Sequence, residues 1–330
     1  MSFFAILFAL LIEQVRPLAR HNPIHAMLRA WARWTSTNFD AGKPQHGWIT
    51  WGLAVLIPSA VSALVHWLLV IFLGWPFALV WSVAVLYITL GFRQFSHHFT
   101  AIRDALDAGD EQLARQLLAQ WQQVDASELP RSEIVRHVIE YSVLAAHRHV
   151  FGVLAWFSVL AALGLGPAGA VLYRMSEFVA RYWKYRAHIQ VQPASAALQA
   201  VAGRAWERID WLPARVTALA FAVVGNFEEA IDCWRNHAQR FPNDNDGVIL
   251  AATSGAVNVR LGGETLRSAF ASNTTGAFAA DGTRILEGNE GTPGREAEIG
   301  HLRSIVGLVW RSVVLWMVLL ALLTLARLLG

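Results

Sequence analysis

From Trp48 to Phe92 the chain runs 45 positions without an Asp, Glu, Lys or Arg. A bilayer crossing needs about 20 apolar residues, so the run holds two. Gly74-Trp75-Pro76 interrupts it near the middle and predicts a hairpin. Pro58 lies inside the first predicted span and should kink it; His66, in the same span, reads as a neutral residue hydrogen-bonded within the bundle. Ile305 to Leu329 is broken only by Arg311 and Arg327 near its ends, which can snorkel to the interface, and predicts a third span. Ser2 to Ile12 is apolar but half the required length. It has neither a basic leader nor a small-residue cleavage site, so it is expected to be a short retained span or an interfacial helix.

Two stretches are ambiguous. Val150 to Tyr173 is cut by Gly164-Leu165-Gly166-Pro167 into pieces of 14 and 6 residues, and Val216 to Gly225 is only ten residues long. The linkers 14–47, 93–149, 174–215 and 226–304 carry 5, 6, 7 and 7 Lys or Arg. Basic loops stay cytoplasmic, and all four share one side only if 150–173 and 212–225 are re-entrant or buried and do not cross. The expected architecture is therefore all-α: a polytopic membrane helical bundle with a partly embedded cytoplasmic helical domain. Its expected parts are an N-terminal membrane region, 1–92, with the short segment 2–12 and the hairpin 48–92. A helical domain, 93–304, and a C-terminal transmembrane helix, 305–330, follow.

Within the polar domain, Phe99, Ile102 and Leu106 share one helical face, Asp107-Ala108-Gly109-Asp110 turns the chain, and Leu113, Leu117, Trp121 and Val124 resume the spacing. This predicts helix-turn-helix with Asp110 as the second N-cap. Another helix is expected from Ser132-Glu133 through Val143. Ala269 to Gly294, rich in Gly, Ser, Thr and Asn, predicts a long irregular loop.

Composition agrees with a membrane protein. Hydrophobic residues make up 55% and charged residues 15%, against roughly 25% charge in a soluble domain; mean hydropathy is +0.37. A formal charge of +3 gives no reason to expect nucleic acid as a partner. The single cysteine, Cys233, excludes an internal disulfide and a Cys-cluster metal site.

The chain has neither a Walker-type phosphate loop nor a dinucleotide fingerprint nor His-Glu-x-x-His. His97-His98 and His147-Arg148-His149 are splayed on a helix, and no metal site is expected there. Asn243-Asp244-Asn245-Asp246-Gly247 imitates a calcium loop but has Ser254 where the twelfth-position Glu belongs. It reads better as a polar turn opening a helix. Trp211-Leu212-Pro213-Ala214-Arg215 places a cation and a proline at the mouth of an apolar helix. Val257-Asn258-Val259-Arg260-Leu261-Gly262-Gly263 sets an Arg beside two glycines, so guanidinium and backbone can approach one anion. Either Arg can equally cap a helix or neutralise a carboxylate.

These clusters resemble the CobD/CbiB family of membrane proteins of cobalamin biosynthesis. The resemblance runs from about residue 99 to 304. It is carried by Ala105 to Asp110, Ala114 to Leu118, Asp125 to Leu129, Glu133 to Glu140, Leu172-Tyr173-Arg174, Trp211 to Arg215, Pro242-Asn243 and Gly255 to Gly263. It implies a role in adenosylcobinamide-phosphate synthesis, in which an amine is joined to a carboxylate with a nucleotide; Mg2+ and ATP are implied only if the chain is an enzyme. On that reading Asp125 and Glu140 are the catalytic candidates. Arg174, Arg215, Asn243, Arg260, Gly262 and Gly263 are the ligand- or phosphate-binding candidates. The chain departs from the family's acidic run after Glu140, reading Tyr141 to Val150 instead. Arg148, Phe151, Trp156-Phe157, Leu165-Gly166-Pro167 and Gly225-Asn226-Phe227-Glu228 are similar to AmpE, a membrane protein tied to β-lactamase induction. The alternative is thus a non-catalytic membrane modulator. The expected partners are the lipid bilayer and an anionic small molecule (corrinoid, nucleotide or muropeptide), and the expected location is the bacterial inner membrane.

Overall fold

The computed structural model describes residues 2–15, 23–122, 125–188, 194–263 and 291–329. Among these the fold is all-α. The helices are α1 (Ser2–Val15), α2 (Pro23–Phe39), α3 (Pro44–Phe72), α4 (Trp75–Thr89), α5 (Phe92–Asp107), α6 (Glu111–Gln122), α7 (Arg131–Ala146), α8 (Gly152–Ala162), α9 (Ala168–His188), α10 (Ala196–Val224), α11 (Phe227–His237), α12 (Asp244–Val257) and α13 (Ile299–Leu329). A π-helical turn, His147–Phe151, joins α7 to α8 without a break. The only bridge among the described residues is an isolated one between Val259 and Arg295.

Among the described residues three runs are long and apolar enough to cross a bilayer: Pro44–Phe72, Arg131–Ala162 and Ile299–Ala326. The first and third fall on expected spans. The hairpin's second helix, α4, has only 15 residues, about 22 Å of rise against a hydrocarbon core of about 30 Å. Arg131–Ala162 differs from the expectation of a polar helix followed by a separate apolar piece. No Gly or Pro stands between Arg131 and Phe151, so the helix simply continues, and the break comes where expected, at Leu163 to Pro167. The apolar stretch 216–225 is likewise the end of the 29-residue α10, so Trp211-Leu212-Pro213 lies inside a helix and not at its mouth.

Contacts divide the chain into two units, 1–94 with 147–216 and 316–330, and 95–146 with 217–315. In the first unit Trp183, Val179, Leu198, Val201, Val55 and Trp51 form the core where α3, α9 and α10 meet. Asp40, just past α2, accepts hydrogen bonds from Ser195 N at 2.8 Å and Ser195 Oγ at 2.7 Å. Ser195 Oγ in turn accepts from Leu198 N and so caps α10.

Two prolines sit inside helices of this unit, and both are accommodated in the same way. A proline has no N–H for the carbonyl four residues earlier. Pro58 therefore frees the Ala54 carbonyl, which accepts from Trp31 Nε1 at 3.2 Å. Pro213 frees the Ile209 carbonyl, which accepts from Trp156 Nε1 at 2.9 Å. Deeper in the unit His147 Nε2 lies 2.8 Å from Asp210 Oδ1, and Tyr173 OH donates to the same oxygen at 2.8 Å. Burial pushes the Asp210 carboxyl up; the facing His147 and the two hydrogen bonds outweigh it and hold the group below the usual carboxylate range. Tyr173 reaches this position because residue 152 is Gly: a Cβ there would lie 2.0 Å from the tyrosine ring. His66 comes within 3.5 Å of Ser82 Oγ, as a residue bonded inside the bundle should.

In the second unit, α5 and α6 form the expected helix-turn-helix, with Asp110 Oδ1 accepting from Leu113 N at 2.9 Å. Val124 and most of the Gly-rich stretch, up to residue 290, lie outside the described residues. Helix α12 is buried from Gly247 to Ala256, packs against α11, and ends on Asn258 in the left-handed region at φ 53°. Cys233 on α11 is buried and unpaired.

Trp156→Phe should cost about 1–3 kcal/mol by orphaning the Ile209 carbonyl. In a Pro213→Ala background the restored helical N–H should absorb most of that cost. A double-mutant cycle of thermal unfolding in detergent measures this coupling; an equal Trp156→Phe cost in both backgrounds contradicts it.

Candidate functional site

The second unit contains a pocket of about 380 Å³ between the start of α7 and two chain segments, 258–263 and 291–297. The segments are laced together. Arg260 N donates to Arg295 O at 2.7 Å, Thr292 N donates to Leu261 O at 2.7 Å, and Leu261 N donates to Thr292 Oγ1 at 2.9 Å. Arg240 Nη1 donates to Gly291 O at 2.8 Å. Two segments that share only an isolated bridge are thereby fixed through their own polar groups.

The pocket floor is a charged cluster on one face of α7. Arg136 is 4% exposed. Its Nη1 donates to Glu140 Oε1 at 2.9 Å, its Nε donates to Glu133 Oε2 at 3.0 Å, and Nη2 also contacts Glu133. The spacing is i−3 and i+4, which puts both carboxylates beside the guanidinium on one helical face. Glu140 Oε1 also accepts from Gly262 N at 2.7 Å, and His137 Nδ1 lies 3.6 Å from Glu140 Oε2. Gly262 and Gly263 take φ of 82° and 111°, a region only glycine enters freely. A Cβ on Gly263 would also meet the Arg136 guanidinium at 3.8 Å. Glu140 thus pins the glycine pair, and the pair lies over the arginine.

Arg260, at the same pocket, is exposed, and no carboxylate among the described residues pairs with it. A neighbouring pocket of about 530 Å³ shares Ser132, Glu296 and Ala297, and is lined also by the first residues of α13. The first-turn N–H groups of α7 have no intrahelical acceptors. The surface therefore offers one unpaired guanidinium and a helix N-terminus beside a glycine pair without side-chain bulk, which together suit a phosphate-sized anion. Among the described residues no group of three or more His, Cys, Asp or Glu is placed to hold a metal ion.

Four of the candidates read from sequence come together here: Glu140, Arg260, Gly262 and Gly263. The others stand elsewhere. Asp125 is exposed, and its Oδ1 accepts from Ser127 N and Oγ at 3.1 and 2.7 Å; those bonds hold its carboxyl below the usual range. Asn243 caps α12 by accepting from Asn245 N at 3.1 Å, the polar turn and helix start expected for Asn243 to Gly247. Arg174 and Arg215 belong to the first unit. Arg174 Nη1 donates to Glu177 Oε2 at 3.2 Å. Arg215 donates to the Trp211 carbonyl at 3.0 Å and lies 4.2 Å over the Trp211 ring. Arg136 was not among the sequence candidates, yet it organises the pocket. The signal was present: Glu133, Arg136 and Glu140 have ion-pair spacing on a helix.

The comparisons agree with the resemblance. A family model described as CobD/Cbib protein matches residues 3–286. Cobalamin biosynthesis protein CobD of Chromobacterium violaceum is 35% identical over 181 residues, about half of each chain (55% of both). The protein of that name from Stutzerimonas stutzeri is 30% identical over 281 residues, 84% of this chain and 82% of its own. That from Leptospira interrogans serovar copenhageni is 27% identical over 201 residues, 59% of this chain and 61% of its own. No solved structure matches. Nothing among these findings supports the AmpE-type alternative.

The Arg174–Glu177 pair provides a pH test. Glu177 is 4% exposed; burial pushes its carboxyl up, but Arg181 and Arg174 outweigh it and hold the group below the usual range. A carboxylate with a lowered folded-state pKa stabilises fully above its unfolded value, about 4.3. That stability is lost as pH falls through the folded value. Melting temperature should therefore drop in acid, and Glu177→Gln should lower it at neutral pH while flattening the acid limb. Thermal scans from pH 3 to 7 check both effects; a mutant with an unchanged acid limb contradicts the assignment.

Proposed function

The chain belongs to the CobD/Cbib protein family, and on that premise we propose that it is a multi-pass inner-membrane protein of cobalamin biosynthesis. We place its action at the step that forms adenosylcobinamide phosphate. The ligand-binding centre in this reading is the Arg136–Glu140–Gly262 pocket. The observation that carries it is the hydrogen bond from Gly262 N to Glu140 Oε1, which fixes a glycine pair beside the unpaired Arg260.

Joining an amine to a carboxylate requires that the two be held together, that the carboxylate's oxygen become a leaving group, and that the amine lose a proton. The residues present serve the holding role best. Arg260 and the α7 N-terminus bind a phosphate group on one reactant; the glycine backbone lets it approach closely. Glu140 is a positioning residue, since Arg136 and the Gly262 amide already engage it. The pocket volume suits a small phosphorylated amine and not a whole corrinoid, which would meet this centre only at its edge.

A magnesium–nucleotide fits the pocket modestly. Magnesium is held mostly by phosphates and water, with one or two protein carboxylates. Glu296 is the pocket carboxylate without an ion-pair partner among the described residues. Bound there, magnesium would neutralise phosphate charge. Asp125, Arg215 and Asn243 lie outside this reading of the centre.

In membranes from a strain lacking the native gene, Arg260→Ala should lower formation of the phosphorylated corrinoid product about 10–100-fold, the value of a lost charged hydrogen bond. Arg260→Lys should recover part of it, and Asp125→Asn should remain near wild type. Product is read by chromatography. Full activity in Arg260→Ala refutes the pocket assignment; no product from wild type with all reactants supplied refutes the proposed step.

A further inference from the structure

The first unit holds a separate cavity of about 660 Å³ lined by α2, α3, α4, α9 and the π-helical turn. Its volume lies in the range of roughly 300–1,000 Å³ typical of small-molecule sites. Most of its wall is apolar, with Leu28, Ile57, Val61, Val85, Val171 and Phe178 prominent. The two indoles in the wall have spent their N–H groups, Trp31 on Ala54 O and Trp81 on Ser62 O, so each presents only its ring.

The neutral polar groups in the wall are Ser62, Thr89 and His149, and its charged groups have one sign. Arg29, Arg174 and Arg181 line the cavity, and among the described residues no carboxylate does. Arg174 is already held by Glu177, whereas Arg181, which also reaches Glu177 at 3.2 Å, leaves 63% of its side chain exposed. Arg29 is exposed as well. An apolar wall that also carries exposed cations fits a ligand with an apolar tail and an anionic head.

The mouth tells which ligand. Ile57 and Val61 are 40% and 52% exposed and lie on α3, a helix long and apolar enough to span a bilayer. Their neighbours Leu56, Leu64 and Leu68 continue the exposed apolar flank. This part of the cavity wall therefore reaches the surface where acyl chains would lie against the span. We propose that it binds one anionic phospholipid, with an acyl chain along α3 and α9 and its phosphate on Arg29 and Arg181. An apolar solute from water would have to cross that same lipid-facing mouth, and a zwitterionic lipid would gain less from a wall whose charged groups are all cations.

Native mass spectrometry of the full-length protein, exchanged into mixed detergent with equal phosphatidylglycerol and phosphatidylcholine, tests the proposal. One phosphatidylglycerol should be retained in preference to phosphatidylcholine. Arg29→Gln and Arg181→Gln should each weaken that retention about fivefold, the effect of one cation near an anionic surface. Val61→Trp, at an exposed position that should tolerate bulk, should displace the lipid by filling the mouth. Equal retention of the two lipids, retention unchanged in Val61→Trp or in the arginine variants, or release of the lipid by added corrinoid would each overturn it.

Discussion

A backbone carbonyl or a charged side chain that faces hydrocarbon or a dry interior has no water to turn to, so the protein must supply its partner. That constraint organises both units. In the first it explains why two indole N–H groups point at Ala54 and Ile209, the carbonyls that Pro58 and Pro213 leave without donors. Proline in a helix ordinarily costs about 3 kcal/mol. Here the carbonyl that each proline frees is repaired by a tryptophan on another helix, and the repair doubles as a tertiary restraint. α2 is tied to α3 and α8 to α10 at points set by the sequence position of a proline.

The same constraint acts on charge in the second unit. Arg136 is almost wholly buried, and a lone guanidinium there would be costly. Glu133 and Glu140 neutralise it from the same helix, and the remaining demand of Glu140 is met by the Gly262 amide, 122 residues further along the chain. The order of causes therefore runs from a helical spacing, through a buried ion pair, to the placement of a loop. The loop's glycines accept the positive φ angles that bring the chain over the arginine. The unpaired Arg260 is held at the pocket by this chain of contacts, its own backbone being locked to Arg295.

Sequence patterns made much of this legible. The chargeless run, its break at Gly74, the turn at Asp107 to Asp110, the cap at Asn243 and the glycine pair at 262–263 are all local signals, and local signals decide local conformation. What could not be read was continuity and distance. The composition of Arg131–Ala162 and α10 changes along their length and suggests fragments, yet nothing in either sequence stops a helix: Pro213 lies inside α10 without ending it. The sequence does not single out Arg136, because its partners are ordinary i−3 and i+4 neighbours, a pattern far more often seen on a solvated face. Its burial depends on packing against a loop that no helical periodicity announces.

The arginines show why residue type is a weak guide to role. The same guanidinium serves as a half-buried counter-ion at Arg174, as a group stacked on a ring of its own helix at Arg215, as a structural hub at Arg136 and as an exposed, unpaired cation at Arg260. What separates them is the number of acceptors each environment provides. Arg136 and Arg174 have carboxylates within 3.2 Å; Arg215 has a carbonyl and an indole face; Arg260 has no carboxylate partner among the described residues. A cation whose donors are already satisfied gains little from a ligand, because it must first give up a partner. Arg260 loses no ion pair on binding an anion, so its full charge-assisted interaction is available. This is the physical reason to rank it above the others as the anchor, and it would hold whatever the chemical identity of the phosphate it meets.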